Sequence, residues 1–240
     1  MVDVERIATG VLGLDNKIGG GFLKGSVNLV TGKTGTGKTS FCTSFLYRGC
    51  LDGEPAVYIT TEEGGDDIKK DALSMFNWNL TEFEKKGLLC MLSIKPIFPS
   101  KENTDVNRLT RLYIMDILNK IEESVNRVKA RRAVLDSVSI VELFVKDEYI
   151  SRVALTAIAE KFKELGVTSL LSATIPETHR GLSGSGVIEF IVDSIIKLDF
   201  VPVAEEFKRT LTIRKMRRTN HSTLIHPFDV TPLGLRVIEI

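Results

Sequence analysis

Gly32-Lys33-Thr34-Gly35-Thr36-Gly37-Lys38-Thr39 fits the pattern G-x-x-x-x-G-K-[ST] in full, and its setting decides the fold. The apolar run before it, residues 26–31, has the composition of a buried strand, and a helix is expected to begin near Ser40. Strand, glycine-rich loop and helix in that order make a phosphate cradle. Consecutive backbone N–H groups turn inward on the phosphate, and the helix adds the positive end of its dipole at the same point. The expected nucleotide contacts are Gly32, Thr34, Gly35, Thr36, Gly37, Lys38, Thr39 and Ser40. Lys38 is expected to reach the β- and γ-phosphates, and the Thr39 hydroxyl to ligate Mg2+, a hard ion that takes few protein oxygens. A plain glycine-rich hairpin leaves Lys38 and Thr39 unexplained.

Outward from the loop, short β-branched runs alternate with longer segments of helical period. This is the signature of a parallel sheet with crossover helices. Strands are predicted at 26–31, 56–61, 88–94, 133–136, 169–173 and 194–198. Ile114, Ile117, Leu118, Ile121, Val125 and Val128 fall at helical spacing, as do Ile150, Val153, Ala157, Ile158, Phe162 and Leu165. Residues 96–105, with two prolines and no periodicity, read as a surface loop suited to a partner. Beyond Phe200 come three strand-like runs without a helix, 209–215, 223–228 and 235–240, so the sheet is expected to end in antiparallel strands.

The bulk composition narrows the classes further. A chain of 240 residues, 43% hydrophobic and 26% charged, can build one sizeable core, and residues 1–240 are expected to form a single domain. The formal charge of +1 excludes a surface that is basic all round. Cys42, Cys50 and Cys90 lack metal or disulfide spacing, which suits a reducing cytoplasm. No apolar run is long enough to span a bilayer, and no leader pattern opens the chain, so a soluble, unprocessed protein is expected.

Hydrolysis needs more than a cradle: an acid on the metal and a base near the attacking water, both from neighbouring strand ends. The run Ala133-Val134-Leu135-Asp136 is an apolar strand ending in an acid, which makes Asp136 the expected metal carboxylate. Glu62 and Glu63 follow the strand at 56–61, and adjacent acids just past a buried strand are costly unless a metal or water uses one. The plainer reading, an acidic first turn continued by Asp66 and Asp67, stays open for Glu63.

Taken together, Ala8-Thr9-Gly10 through Gly13-Leu14-Asp15, Gly19-Gly20-Gly21-Phe22, the phosphate loop, Tyr58-Ile59-Thr60-Thr61-Glu62-Glu63, Leu135-Asp136-Ser137-Val138, and Lys215-Met216-Arg217 with His221 resemble the KaiC-like branch of the RecA superfamily of ATPases. The resemblance runs nearly end to end. It implies a RecA-like P-loop fold, a homo-oligomeric ring (commonly a hexamer), and ATP with Mg2+ between neighbouring subunits. By position, Glu62 would polarise the attacking water with help from Glu63, and Asp136 would be the metal acid. Lys215 and Arg217 would reach the neighbour's γ-phosphate, and Arg209 would lie near that nucleotide's base. The bland alternative is a solvated basic strand. Six of the twelve residues from 207 to 218 are basic and none is acidic, which is one-sided enough to suit an anionic partner.

The chain also departs from that family. Leu23-Lys24 replaces the usual Leu-Pro, a local turn change. The clock protein's phosphorylation sites correspond to Glu189 and Phe190, so its phosphorylation cycle is not expected here. Where recombinase-like relatives sense the γ-phosphate with a glutamine, Thr174 or Ser172 would have to serve, and slow hydrolysis is expected. The favoured reading is a slow ring-forming ATPase that drives a conformational change on a protein partner. A recombinase paralog on single-stranded DNA is kept alive by the Gly-Leu-Ser-Gly-Ser-Gly loop at 181–186. The net charge and the single tryptophan, Trp78, count against it. A third reading, an ATP-binding scaffold without hydrolysis, does not need Glu62 and Glu63.

Overall fold

The computed structural model describes residues 4–95, 106–145, 147–178, 181–183 and 186–239. In chain order the elements are β1 (Arg6–Ile7), β2 (Phe22–Leu23), β3 (Val27–Gly32), α1 (Lys38–Leu51), β4 (Ala56–Thr60), α2 (Gly65–Phe76), α3 (Leu80–Lys85) and β5 (Leu89–Ser93). There follow α4 (Val106–Val128), β6 (Arg132–Asp136), α5 (Ser139–Phe144), α6 (Glu148–Glu164), β7 (Thr168–Thr174) and α7 (Ile188–Ile191). The chain closes with β8 (Ser194–Val203), β9 (Glu206–Met216), β10 (Ile225–Thr231) and β11 (Gly234–Val237). A short 3-10 turn, Asp15–Ile18, lies between the first two strands.

Nine strands form one sheet in the order β11-β10-β9-β8-β3-β7-β6-β4-β5. The six from β8 to β5 run parallel, and β9, β10 and β11 are added antiparallel. The fold is therefore α/β with a mainly parallel sheet and antiparallel C-terminal strands, as the alternation of runs predicts. Because successive side chains point to opposite faces, each central strand feeds two cores. Val30 and Tyr58 join the side packed by α1 and α2, with Phe41, Phe45 and Trp78. Leu29 and Ile59 join the side packed by α4 and α6, with Ile117, Ile121, Ile158 and Phe162. Burial on both faces is why these strands read as continuous apolar runs.

The differences from the sequence reading are local. The strand expected at 223–228 starts at Ile225, because Ser222 is turned away to donate its N–H to Lys17 O at 2.9 Å. The run expected at 194–198 extends to Val203, where it turns directly into β9 through Ala204 at φ 53°. The loop expected at 96–105 lies outside the described residues, as do positions 184 and 185 of the glycine-serine loop. The described part of that loop is tied down, with Ser183 Oγ donating to Glu189 Oε1 at 3.0 Å.

Candidate functional site

The parallel strands deliver the expected residues to one edge of the sheet. Gly32 ends β3 beside Thr174 of β7, and Asp136 ends β6 beside Thr60 of β4, so the loop, the strand-end acid and the glutamate pair all leave from C-terminal strand ends. In open α/β sheets this edge is where ligands bind.

The loop needs its glycines. A Cβ on Gly32 would lie 2.4 Å from Leu198 O and 2.7 Å from Thr36 Oγ1, so the strand could not approach β8 with any side chain there. Gly35 and Gly37 adopt φ of 78° and 104°, conformations that let the chain curl over a phosphate before α1 begins. Lys38 Nζ donates to Gly32 O and Lys33 O, both at 2.9 Å, bending the side chain back over the loop. Burial lowers its pKa, and the nearby Asp136 and Glu62 partly oppose that shift. Lys33 at the loop's rim is paired with Glu177 at 2.9 Å.

Asp136 gathers three hydroxyl donors. Thr39 Oγ1 donates at 3.0 Å and Tyr58 OH at 2.7 Å to one carboxylate oxygen, while Ser172 Oγ donates to the other. Thr39 and Asp136 are thus a hard-oxygen pair within reach of one small cation, which is the donor chemistry Mg2+ asks for. Ser172, fully buried and committed to Asp136, is a support for that acid and not a stand-in for a phosphate-sensing glutamine. Thr174, whose backbone N–H donates to Ser139 Oγ at 2.8 Å, keeps its place beside Glu62 at the exposed edge.

The two glutamates diverge. Glu62 Oε1 accepts from Ser137 Oγ, and Ser137 is fixed by Thr61, whose Oγ1 donates to Ser137 O at 2.8 Å and accepts from Ser137 N at 2.9 Å. Glu63 faces Thr39, Ser40 and Thr43 across a small cleft, and burial raises its pKa, helped by the charges of Asp136, Asp71 and Glu62. Beside Glu62 opens a larger cleft of about 740 Å3, walled by Ile140, Leu143, Val145, Thr174 and Pro176.

The basic residues on β9 and just beyond its end do not join this edge as one group. Arg217 N donates to Asp193 O at 2.9 Å, and Asp193 N donates to Val27 O at 2.7 Å, placing Arg217 at the start of β3. The loop lies five residues farther along that strand, about 17 Å away. Arg217 is directed elsewhere, 3.4 Å from Asp193 Oδ1 and 3.4 Å from Phe190 O. Lys215 Nζ donates to Glu189 O at 2.8 Å and Val192 O at 2.6 Å, and its pKa is lowered by burial and by Arg217. Arg209 pairs with Phe200 at the other end of β9, on the loop's own edge, with its guanidinium 5.2 Å from the Phe200 ring. His221 contacts Ser222 O at 2.9 Å through Nδ1.

Sequence reasoning missed what Tyr58 and Asp193 do, and it assigned Ser172 to the γ-phosphate instead of to Asp136. The contacts of Tyr58 and Ser172 with Asp136 leave no mark in the sequence of their strands, and the signal that finds them is register: both flank β6 two residues or fewer from the Asp136 level.

A family model described as "ATPase: KaiC" matches residues 7–240. A UPF0273 protein of Methanopyrus kandleri is 35% identical over 244 residues, covering 98% of this chain and 92% of the relative. The circadian clock oscillator protein KaiC of Acaryochloris marina is 30% identical over 240 residues, covering 100% of this chain and 45% of that longer protein. The crystal structure of a KaiC-like protein from Pyrococcus horikoshii OT3 superposes with a TM-score of 0.84 at 34% identity, covering 98% of this chain and 100% of that one.

Proposed function

The chain belongs to the KaiC family of ATPases, and on that premise we propose that it is a slow Mg2+-dependent ATPase. It works as a single RecA-like domain in a homo-oligomeric ring, most simply a hexamer, with ATP at each subunit boundary and a conformational change passed to a protein partner. The observation that carries this reading is the separation of Lys215 and Arg217 from their own phosphate loop: they sit at the opposite sheet edge, beyond the reach of their side chains. If these cations serve a nucleotide, it is another subunit's.

In that arrangement the phosphates rest on the backbone N–H groups of Gly35 to Thr39, and Lys38 exchanges its two loop carbonyls for phosphate oxygens. Thr39 and Asp136 would hold Mg2+, which when bound neutralises charge on the β- and γ-oxygens. Glu62, oriented by Ser137, holds and polarises the attacking water, and Glu63 shapes the field at Asp136. Arg217 from the neighbour neutralises charge that develops on the transferred group, worth roughly 10³ to 10⁵ in rate in comparable enzymes. Among the described residues no helix is long and apolar enough to cross a membrane, and a cytoplasmic location fits the three free, buried cysteines. Single-stranded DNA is not favoured, because the cleft beside Glu62 carries Glu62, Glu142 and Glu148 and, among its described lining, no basic residue.

The test is ATP turnover by the purified protein together with particle mass by light scattering, with and without Mg-ATP. Turnover accompanied by an ATP-dependent rise in mass is expected. A permanently monomeric protein that hydrolyses ATP would contradict the boundary site, and no turnover in any assembly would contradict the ATPase.

A further inference from the structure

Phe190 is a large exposed side chain that the proposed site leaves unused. It is 71% exposed on α7, although an apolar ring of that size is ordinarily buried. Its surroundings are those of the two cations already assigned to a neighbour: Arg217 Nη2 lies 3.4 Å from Phe190 O, and Lys215 Nζ donates to the carbonyls of Glu189 and Val192 on either side. Any contact that carries Lys215 and Arg217 to another subunit carries Phe190 with them.

At the receiving edge lies the cleft beside Glu62. Its walls are Ile140, Leu143, Val145 and Pro176, with Leu143 itself 69% exposed, and its charged lining, Glu62, Glu142 and Glu148, is acidic throughout. Within one chain the two features cannot meet. The cleft sits at the first turns of α6, beside Ser151, whereas Lys163 in its last turn pairs with Asp193 next to Arg217 at 3.3 Å. Twelve helical residues, about 18 Å, separate those points.

We propose that Phe190 of one subunit inserts into the apolar cleft beside Glu62 of the next, so that the ring shuts water out on one side of the attacking position. The occupant is a second copy of this chain. Two features select it: an apolar knob for an apolar hole, and Lys215 and Arg217 beside the knob against three glutamates around the hole. The proposal depends on the boundary reading above and adds to it the residue that seals the site.

The test uses Phe190→Cys and Leu143→Cys made in separate chains, mixed, and treated with a short bismaleimide in the presence of Mg-ATP. Cys42, Cys50 and Cys90 are buried and leave the background low. A covalent dimer formed in the mixture and absent from either variant alone is expected. Phe190→Ala, on an exposed position that folding does not need, should raise the ATP concentration for half-assembly roughly tenfold, and Phe190→Asp should raise it further because it meets the acidic rim. Phe190→Leu should restore most of the assembly. The mixing of Arg217→Ala with Glu62→Gln chains separates the two ideas. Recovered turnover in that mixture without the 190–143 dimer overturns the Phe190 contact and leaves the boundary site standing. Neither recovery nor dimer overturns both.

Discussion

At the residue scale, the phosphate loop and the two glutamates make separable demands. Lys38 donates its hydrogen bonds to loop carbonyls, so Lys38→Ala should change folding stability by less than about 1 kcal/mol while weakening ATP binding on the order of 100-fold, measured by calorimetric titration and thermal melting. Glu62→Gln keeps its size and the Ser137 contact but loses basicity. It should bind Mg-ATP normally and turn it over about 10² to 10⁴ times more slowly in a single-turnover assay. If Glu63→Gln has that effect and Glu62→Gln does not, the roles within the pair are reversed. Glu63 also carries a pH signature. Its folded pKa is raised by burial and by Asp136, so its charged form opposes folding above that pKa, whereas below about pH 4 it is protonated in both states and contributes nothing. Glu63→Gln should therefore raise the melting temperature of the nucleotide-free protein near neutral pH, with the gain fading as the pH falls through the folded pKa to that limit.

At the element scale, β6 is pinned to the N-terminal segment through Arg132, a buried charge at its start. Arg132 donates to Glu54 Oε2 at 2.6 Å, Ala8 O at 2.7 Å and Phe45 O at 2.8 Å, and lies 4.9 Å from the Phe45 ring. Removing it leaves a poorly solvated carboxylate and takes a charged donor from the Ala8 and Phe45 carbonyls, so Arg132→Ala should cost about 3 to 5 kcal/mol in a denaturant titration. A loss below about 1 kcal/mol would mean that water replaces the guanidinium. Arg132 also shows where sequence reading stops. The predicted strand began at Ala133, because an arginine does not look like an interior residue, and only the tertiary contacts with Ala8, Phe45 and Glu54 make it one. The central strands were legible because burial on both faces leaves an uninterrupted apolar run, and the loop because its chemistry fixes residue types at fixed spacing. Ser172 was not, since a hydroxyl in a parallel strand carries no sign that Asp136 lies across the ladder. The placement of Lys215 and Arg217 at the far edge follows from strand register, which periodicity alone does not encode.

At the scale of the whole molecule, the sheet holds two groups of polar side chains at opposite ends of its parallel strands: the glycine-rich loop with its acids, and a pair of cations anchored at α7 and Asp193. If they form one nucleotide site, as proposed, joining them takes two copies, and ATP, contacting both sides of that boundary, should stabilise the assembly. Arg217→Ala should leave nucleotide binding to an isolated subunit nearly unchanged, reduce turnover by on the order of 10³, and weaken ATP-dependent assembly. Mixing Arg217→Ala subunits with Glu62→Gln subunits tests the central claim most directly, because some boundaries then join an intact Glu62 to an intact Arg217 from the neighbour. Turnover well above that of either parent is the predicted result. Turnover no higher than the parents', in particles shown by mass to contain both chains, would contradict donation across the boundary.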